Sequence, residues 1–284
     1  MLFDEVTISA FLSHLAENSR GIGGVDQARS ALKHFYCLKF GDKDSPTDGI
    51  MVKNVLRGVK RRFSLPVKKR KPLSSSEFSK LLSSIVDGAS LEKIGMSNLR
   101  FAAQVSIMYC GFARYEESAD LKLDSVEEDG KDLIIQFTKG KQYQYGECRS
   151  GVIVDQWFGS INPVKLLLSY VSRIKCLDGN ADKWLFPSFG FKGRKLVVLN
   201  EPASYDCVAN QFKLFGGKCG LDHSIEDYGL HSFRRGAVTT AVNNGCSEHV
   251  VQKQMRVAST ATVARYATLS KERLAEANRC LVKL

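Results

Sequence analysis

The chain has 284 residues, enough for one large or two unequal domains, and 44% of them are apolar, enough for a packed core. Lysine and arginine number 41 against 30 aspartate and glutamate, and the resulting charge of +11 points to a polyanionic partner. No apolar stretch approaches the roughly 20 residues of a membrane span, residues 1–15 lack the basic-then-apolar order of a secretion signal, and the eight cysteines stand too far apart for a zinc knuckle. The expectation is a reduced, intracellular protein of nucleus or cytoplasm, without membrane contact.

In chain order, Val6, Phe11, Leu12 and Leu15 recur at helical spacing, and so do Ala28, Leu32, Phe35 and Tyr36. Gly21, Gly23 and Gly24 are expected to break the chain between the two helices. A third run, Met51 to Phe63, follows the turn-rich stretch Asp42 to Gly49, so residues 1–65 read as a small helical domain. The densest basic cluster starts in this run: Lys53, Arg57, Lys60, Arg61, Arg62, Lys68, Lys69, Arg70 and Lys71, with no acidic residue among them. Such a cluster attracts a polyanion through phosphate contacts and counterion release; the plainer alternative is a solvated basic face. Residues 66–71 read as a linker, and Lys68-Lys69-Arg70-Lys71 serves equally well as a nuclear import signal or a DNA-tracking segment.

Pro72 and Ser74-Ser75-Ser76-Glu77 open a helix, because a hydroxyl with Glu three positions later caps free backbone N–H groups. A second domain is placed at residues 72–284. Leu99 to Phe112 is apolar nearly all round, as a buried central helix would be. The period then changes: Val126, a turn at Asp129-Gly130, the run Leu133 to Phe137, and Gly151 to Val154 predict a three-stranded antiparallel sheet. Helices are expected to dominate the rest, and the fold class is mainly α with that one small sheet.

Four stretches carry chemistry. His231-Ser232-Phe233-Arg234 opens a helical run to Asn243. Residues three apart share a helix face, so the imidazole and guanidinium are expected to point the same way, with Phe233 turned inward. That pair suits a phosphodiester, since arginine grips two oxygens and histidine moves a proton. The plainer alternative is a capping His231 and a surface Arg234. In Gly111-Phe112-Ala113-Arg114-Tyr115-Glu116-Glu117, Arg114 follows the buried helix directly and Glu117 is spaced to orient it; the alternative is an internal salt bridge. Thr138-Lys139-Gly140-Lys141-Gln142 falls at the tip between two predicted strands, where a lysine either reaches a substrate or sits in a plain exposed turn. Thr262-Val263-Ala264-Arg265-Tyr266-Ala267 sets a phenol late in the chain. A phenol titrates near about 10 and attacks poorly at neutral pH unless cations or a base activate it; a late-helix aromatic is otherwise core.

None of the four is specific alone, but their order is. Arg114, Lys139 on a hairpin, His231-x-x-Arg234 and Tyr266, behind a small basic helical domain, resemble the tyrosine recombinase (phage integrase) family over nearly the whole chain. The stretch from Leu230 to Gly245 is the most family-like and Gly111 to Glu117 the next. The resemblance implies a helical core-binding domain and a larger mixed catalytic domain that close on double-stranded DNA. It implies site-specific strand cleavage and rejoining, of the kind mobile genetic elements use, through a covalent 3′-phosphotyrosine. Arg114 and Arg234 look like the phosphate-clamping arginines, Lys139 like the donor to the departing 5′ oxygen with Lys141 as fallback, His231 like the proton-transfer residue, Tyr266 like the nucleophile and Glu117 like a supporting acid. No metal or cofactor is implied, and the assembly implied is a homotetramer on synapsed DNA from chains that are monomeric when free. The stripe Leu274, Ala277, Leu281 and Leu284 is expected to dock on a neighbouring subunit, with packing on its own domain as the alternative.

The chemistry stands beside the resemblance. Two guanidinium groups stabilise the negative charge that develops on a phosphodiester under attack, and exchange of one ester for another conserves bond energy. Two-metal nucleases need converging carboxylates, whereas Asp120, Asp124, Glu127, Glu128 and Asp129 read as solvated surface. One departure from the family stands nine residues before Tyr266, where a His or Trp is usual and Val257 occurs, leaving Arg256 or Ser259 to substitute. It keeps one alternative open, a recombinase-derived DNA-binding protein with impaired cleavage; a second alternative, a type IB topoisomerase-like enzyme, would share the nucleophile and much of the site, and the compact helical N-terminal domain and the C-terminal stripe argue against it.

Overall fold

The computed structural model describes residues 4–19, 22–41, 44–63, 70–138, 149–177, 179, 182–221 and 227–280. The chain divides into two compact units, Met1–Lys69 and Arg70–Leu284. In the first, α1 (Glu5–Ser19), α2 (Ile22–Phe40) and α3 (Ile50–Phe63) pack around Ile8, Leu12, Ala16, Val25, Val52, Leu56 and Val59. The inward stripe of α1 is therefore 8, 12 and 16, while Val6 and Phe11 are exposed. Gly23 and Gly24 do not break the chain: they lie in the first turn of α2. Propensity is a weak prior, and burying Val25 two positions on outweighs the entropic cost of glycine. Asp48 ties α2 to the turn before α3 by accepting from Arg29 at 2.5 Å and Lys33 at 2.6 Å.

The second unit is built around one buried helix. It begins at α4 (Ser75–Val86), capped as the serine run predicts: Ser74 Oγ accepts from Glu77 N at 3.2 Å, and Glu77 accepts from Ser74 N at 2.7 Å. Helix α5 (Met96–Cys110) is buried at every position from Leu99 to Cys110. That includes Arg100, whose guanidinium reaches Pro187 O at 2.9 Å and Gln211 Oε1 at 3.0 Å. A short α6 (Tyr115–Ala119) leads to the sheet β1 (Val126–Asp129), β2 (Asp132–Phe137) and β3 (Arg149–Ile153), antiparallel in that order. Strand β2 buries Leu133, Ile135 and Phe137 by simple alternation. Asp124, Glu127, Glu128 and Asp129 are exposed.

After α7 (Pro163–Lys175) comes a second sheet that the periodicity did not predict: β4 (Pro187–Lys192) paired antiparallel with β5 (Lys195–Pro202). Lys192 pairs with Lys195 across Gly193-Arg194, and Gly193 takes φ 63°, the conformation a two-residue hairpin turn requires. Helices α8 (Tyr205–Lys218), α9 (His231–Asn243), α10 (Glu248–Gln254), α11 (Thr260–Tyr266) and α12 (Lys271–Cys280) complete the unit. Helix α9 abuts the extended chain at Leu73, where a Cβ on Gly236 would come within 1.9 Å of the Leu73 carbonyl oxygen. Among the described residues no helix is long and apolar enough to cross a membrane.

Candidate active site

The site grows out of the end of α5. Gly111 stops the helix, Phe112 turns the chain with φ 52°, and Arg114 opens α6. Glu117, on the first turn of α6, reaches back. Its Oε2 accepts from Arg114 N at 2.9 Å and its Oε1 from Arg114 Nη1 at 2.5 Å. The spacing of three makes an internal ion pair that holds Arg114 through both backbone and side chain.

Two more arginines converge on the same carboxylate. Arg234 of α9 donates from Nη1 to Glu117 Oε2 at 3.0 Å and from Nη2 to Met255 O at 2.8 Å. Arg256, just past α10, donates from Nη2 to Glu117 Oε2 at 3.1 Å. Glu117 is buried, and burial by itself would raise its carboxyl, but Arg234, Arg256 and Arg114 hold it below the ordinary glutamate range. Arg234 is wholly buried, and burial pushes its guanidinium down to about 10. Glu117 opposes that shift while Arg114 and Arg256 add to it, and the group stays charged at neutral pH. Burial also works against Arg114, but Glu117 and the Tyr266 phenol together raise it above the ordinary arginine value. Three guanidinium groups around one carboxylate leave an excess of positive charge, with Arg114 the most exposed of the three at 18% of its side chain.

Tyr266 completes the cluster. Its helix α11 is anchored by Val263, which packs with Val238, Val242, Val251, Met255 and Val257. Tyr266 is the last helical residue and partly exposed, and its ring centroid lies 5.4 Å from the Arg234 guanidinium carbon. It packs half-buried against that cluster, with the Arg234 guanidinium over its ring.

The remaining expected residues fall as follows. His231 is exposed at the first position of α9 and, among the described residues, has no hydrogen bond or ion pair. Arg234, one turn further along the same helix, is buried. Lys139 and Lys141 lie outside the described residues. Lys53, Arg57, Lys60, Arg61 and Arg62 are exposed on α3, while Val52, Leu56 and Val59 face the core. Lys68 and Lys69 lie outside the described residues. Lys71 is not a free linker cation: its N–H donates to Asp227 O at 2.8 Å and its Nζ pairs with Asp227 at 3.3 Å. Arg70 is exposed, with its side chain beside Gly229. Leu274 is exposed, and Leu281 and Leu284 of the expected stripe lie outside the described residues.

Arg256 does not take the part of a free phosphate donor. Its Nη1 donates to Gln254 O at 2.7 Å and Gly111 O at 3.0 Å, its Nη2 to Phe112 O at 3.3 Å besides Glu117, and its plane lies 3.8 Å from the Phe137 ring centroid. It takes φ 57°, which costs a residue with a Cβ and persists only where surrounding contacts impose it. Arg256 is a brace joining the α5 turn, β2 and the loop after α10. Gln254 adds a second tie, donating to Val152 O at 2.6 Å and accepting from Val152 N at 3.2 Å. The one sequence signal for this brace is Gly151 inside a strand, a mark of close approach: a Cβ there would lie 2.7 Å from Arg256 Nη1.

Comparison with known proteins relates the chain to a described family. The model of the phage integrase family matches residues 95–273. The tyrosine recombinase XerD of Rhizobium meliloti (strain 1021) is 24% identical over 274 residues, covering 94% of this chain and 76% of that protein. Among solved structures, the XerH site-specific recombinase bound to palindromic difH substrate in a post-cleavage complex superposes with TM-score 0.65 at 20% identity, over 97% of this chain and 71% of that one. The Tn1549 transposon integrase in complex with transposon right end DNA does so with TM-score 0.61 at 14% identity, over 99% and 86%.

Proposed function

The chain belongs to the phage integrase family of tyrosine recombinases, enzymes that cut and rejoin DNA, and from that premise we propose how its own residues perform the reaction. The Tyr266 oxygen attacks a backbone phosphorus, the bond from phosphorus to the 5′ oxygen breaks, and a 3′-phosphotyrosine and a free 5′ hydroxyl result. The hydroxyl of another strand reverses the step. One phosphoester replaces another throughout, so no ATP is consumed.

The observation that carries this reading is the shared carboxylate: Glu117 holds Arg114 and Arg234 together beside the Tyr266 ring. Attack adds negative charge to the non-bridging oxygens, and preformed cations there stabilise it by about 3–4 kcal/mol for each well-placed donor. Arg114 is the exposed contact; Arg234 adds its field from beneath. His231 takes the phenol proton, and Lys139 supplies one to the departing 5′ oxygen. The exposed cations of α3 track the phosphates of double-stranded DNA, and the free monomer assembles into a tetramer on synapsed sites.

The test is covalent trapping. A duplex selected from a random pool by the Tyr266→Phe chain, then nicked, should form a denaturation-resistant adduct with the unaltered chain and none with the Tyr266→Phe chain. An adduct that survives that substitution removes Tyr266 as nucleophile. Val257 favours the alternative of impaired cleavage, because it is buried among valines and offers no donor; binding of the selected duplex with no adduct would establish that alternative. The family match favours neither it nor a type IB topoisomerase.

A further inference from the structure

Helix α9 carries a polar stripe at four-residue spacing, Arg235, Thr239 and Asn243, and side chains four apart lie on one helix face. Along that face runs the segment that directly follows Tyr266. Thr268 N donates to Thr239 Oγ1 at 3.2 Å, Asn243 Nδ2 donates to Thr268 O at 3.1 Å, and Ser270 N donates to Asn243 Oδ1 at 3.0 Å. Two longer contacts flank these, Arg235 Nη2 to Thr268 Oγ1 at 3.4 Å and Thr239 Oγ1 to Tyr266 O at 3.5 Å. Ser270 in turn caps α12, its Oγ accepting from Arg273 N at 3.2 Å.

The segment needs such partners. The chain leaves α11 in extended conformation at Ala267, with φ −65° and ψ 140°; the Ala267 N–H still reaches Val263 O at 2.9 Å, but the Thr268 and Ser270 N–H groups have no helical ladder to join. Helix α11 is itself only seven residues long, and Val263 is its one buried residue. Two turns do not hold themselves in water, and Tyr266 stands at the end where fraying starts. The helix that grips the following segment is the one that carries Arg234, so the grip references the phenol to that buried guanidinium of the same chain.

We propose that Arg235, Thr239 and Asn243 form a latch, a set of positioning residues that hold the 267–270 segment and thereby aim the Tyr266 oxygen at a phosphate held by Arg114 over the buried Arg234 of the same chain. The latch touches neither substrate nor reacting atoms. It rests on the reading of Tyr266 as nucleophile.

The test uses the full chain and the nicked, selected duplex described above, with single-turnover adduct formation and DNA affinity measured separately. A misplacement of about 1 Å costs about a hundredfold in rate. Thr239→Val and Asn243→Ala should therefore each slow adduct formation by about tenfold or more with DNA affinity unchanged, and Thr239→Ser, which keeps the hydroxyl, should restore the rate. Wild-type rates for Thr239→Val and Asn243→Ala, or a Thr239→Ser chain as slow as Thr239→Val, overturn the latch while leaving Tyr266 as nucleophile. An adduct from Tyr266→Phe overturns the underlying reading instead. Should a variant fail to fold, amide hydrogen exchange on the unaltered chain decides: the Thr268 and Ser270 amides should be protected, and exchange at the rate of an unstructured segment refutes the latch.

Discussion

Replacing Glu117 by glutamine tests the organisation of the site most directly. The carboxylate is buried and accepts from the guanidinium groups of Arg114, Arg234 and Arg256 and from the Arg114 amide. Glutamine keeps the shape but removes the charge and turns an N–H₂ toward donors. Removing one partner of a buried ion pair costs about 3–5 kcal/mol, because the remaining charge stays buried and unpaired. In a unit of this size that lowers the thermal midpoint by about 10 °C.

The pH dependence supplies the sign. Glu117 is held below the ordinary value of 4.5, so near that pH the unfolded chain binds more protons at this position than the folded chain. Its contribution is complete above 4.5 and is lost as the pH falls through the depressed folded value. The gap between Glu117→Gln and the unaltered chain should thus be widest at neutral pH and close in acid. Denaturant unfolding across that range measures it, with adduct formation expected to fall by at least about a hundredfold as Arg114 and the buried Arg234 lose their registry. Equal stability at pH 7, or a gap independent of pH, would refute the shared-carboxylate account.

Three further outcomes follow from other parts of the structure. Restoring the missing donor with Val257→His should not raise activity, since that position lies in an apolar cluster with Val238, Val251, Met255 and Val263; a buried imidazole without a partner should lower stability by about 1–3 kcal/mol, read by chemical denaturation. Gly236→Ala should destabilise the second unit by about 1–3 kcal/mol or more, because its Cβ meets the Leu73 backbone at 1.9 Å and no side chain can yield, and a calorimetric midpoint within a degree of the unaltered chain would contradict this. Neutralising Lys53, Arg57 and Lys60 to glutamine should weaken DNA binding and flatten the plot of log affinity against log salt by about 0.9 for each phosphate that no longer meets a cation; an unchanged slope in a fluorescence-anisotropy titration would remove α3 from the DNA interface.

The local elements were largely legible. The apolar run Leu133 to Phe137 predicts strand β2, the serine run before Glu77 predicts the α4 cap, and the His231 to Asn243 run coincides with α9. The β4–β5 hairpin left a signal as well, a glycine at a two-residue turn between apolar runs, but the same residues read as helix when strand partners are unknown. The α1 stripe was misjudged because a short helix with scattered apolar residues admits several faces, and only the packing of Val52 and Leu56 against it selects Ile8, Leu12 and Ala16.

Local spacing within the chain thus determined most of the elements outside the β4–β5 hairpin, the order of chemical residues along the chain, and the Arg114–Glu117 pair, whose partners are three apart. Tertiary structure alone decided that Arg234 and Arg256 join them from positions far along the chain, that Arg256 is a brace rather than a donor, and that α9 grips the segment behind Tyr266. The division has a physical cause. Helical and strand periodicity is a property of a few consecutive residues, whereas a buried carboxylate takes its counter-charges from whatever the folded chain brings within about 3 Å, and nothing in the linear spacing of distant arginines encodes that distance.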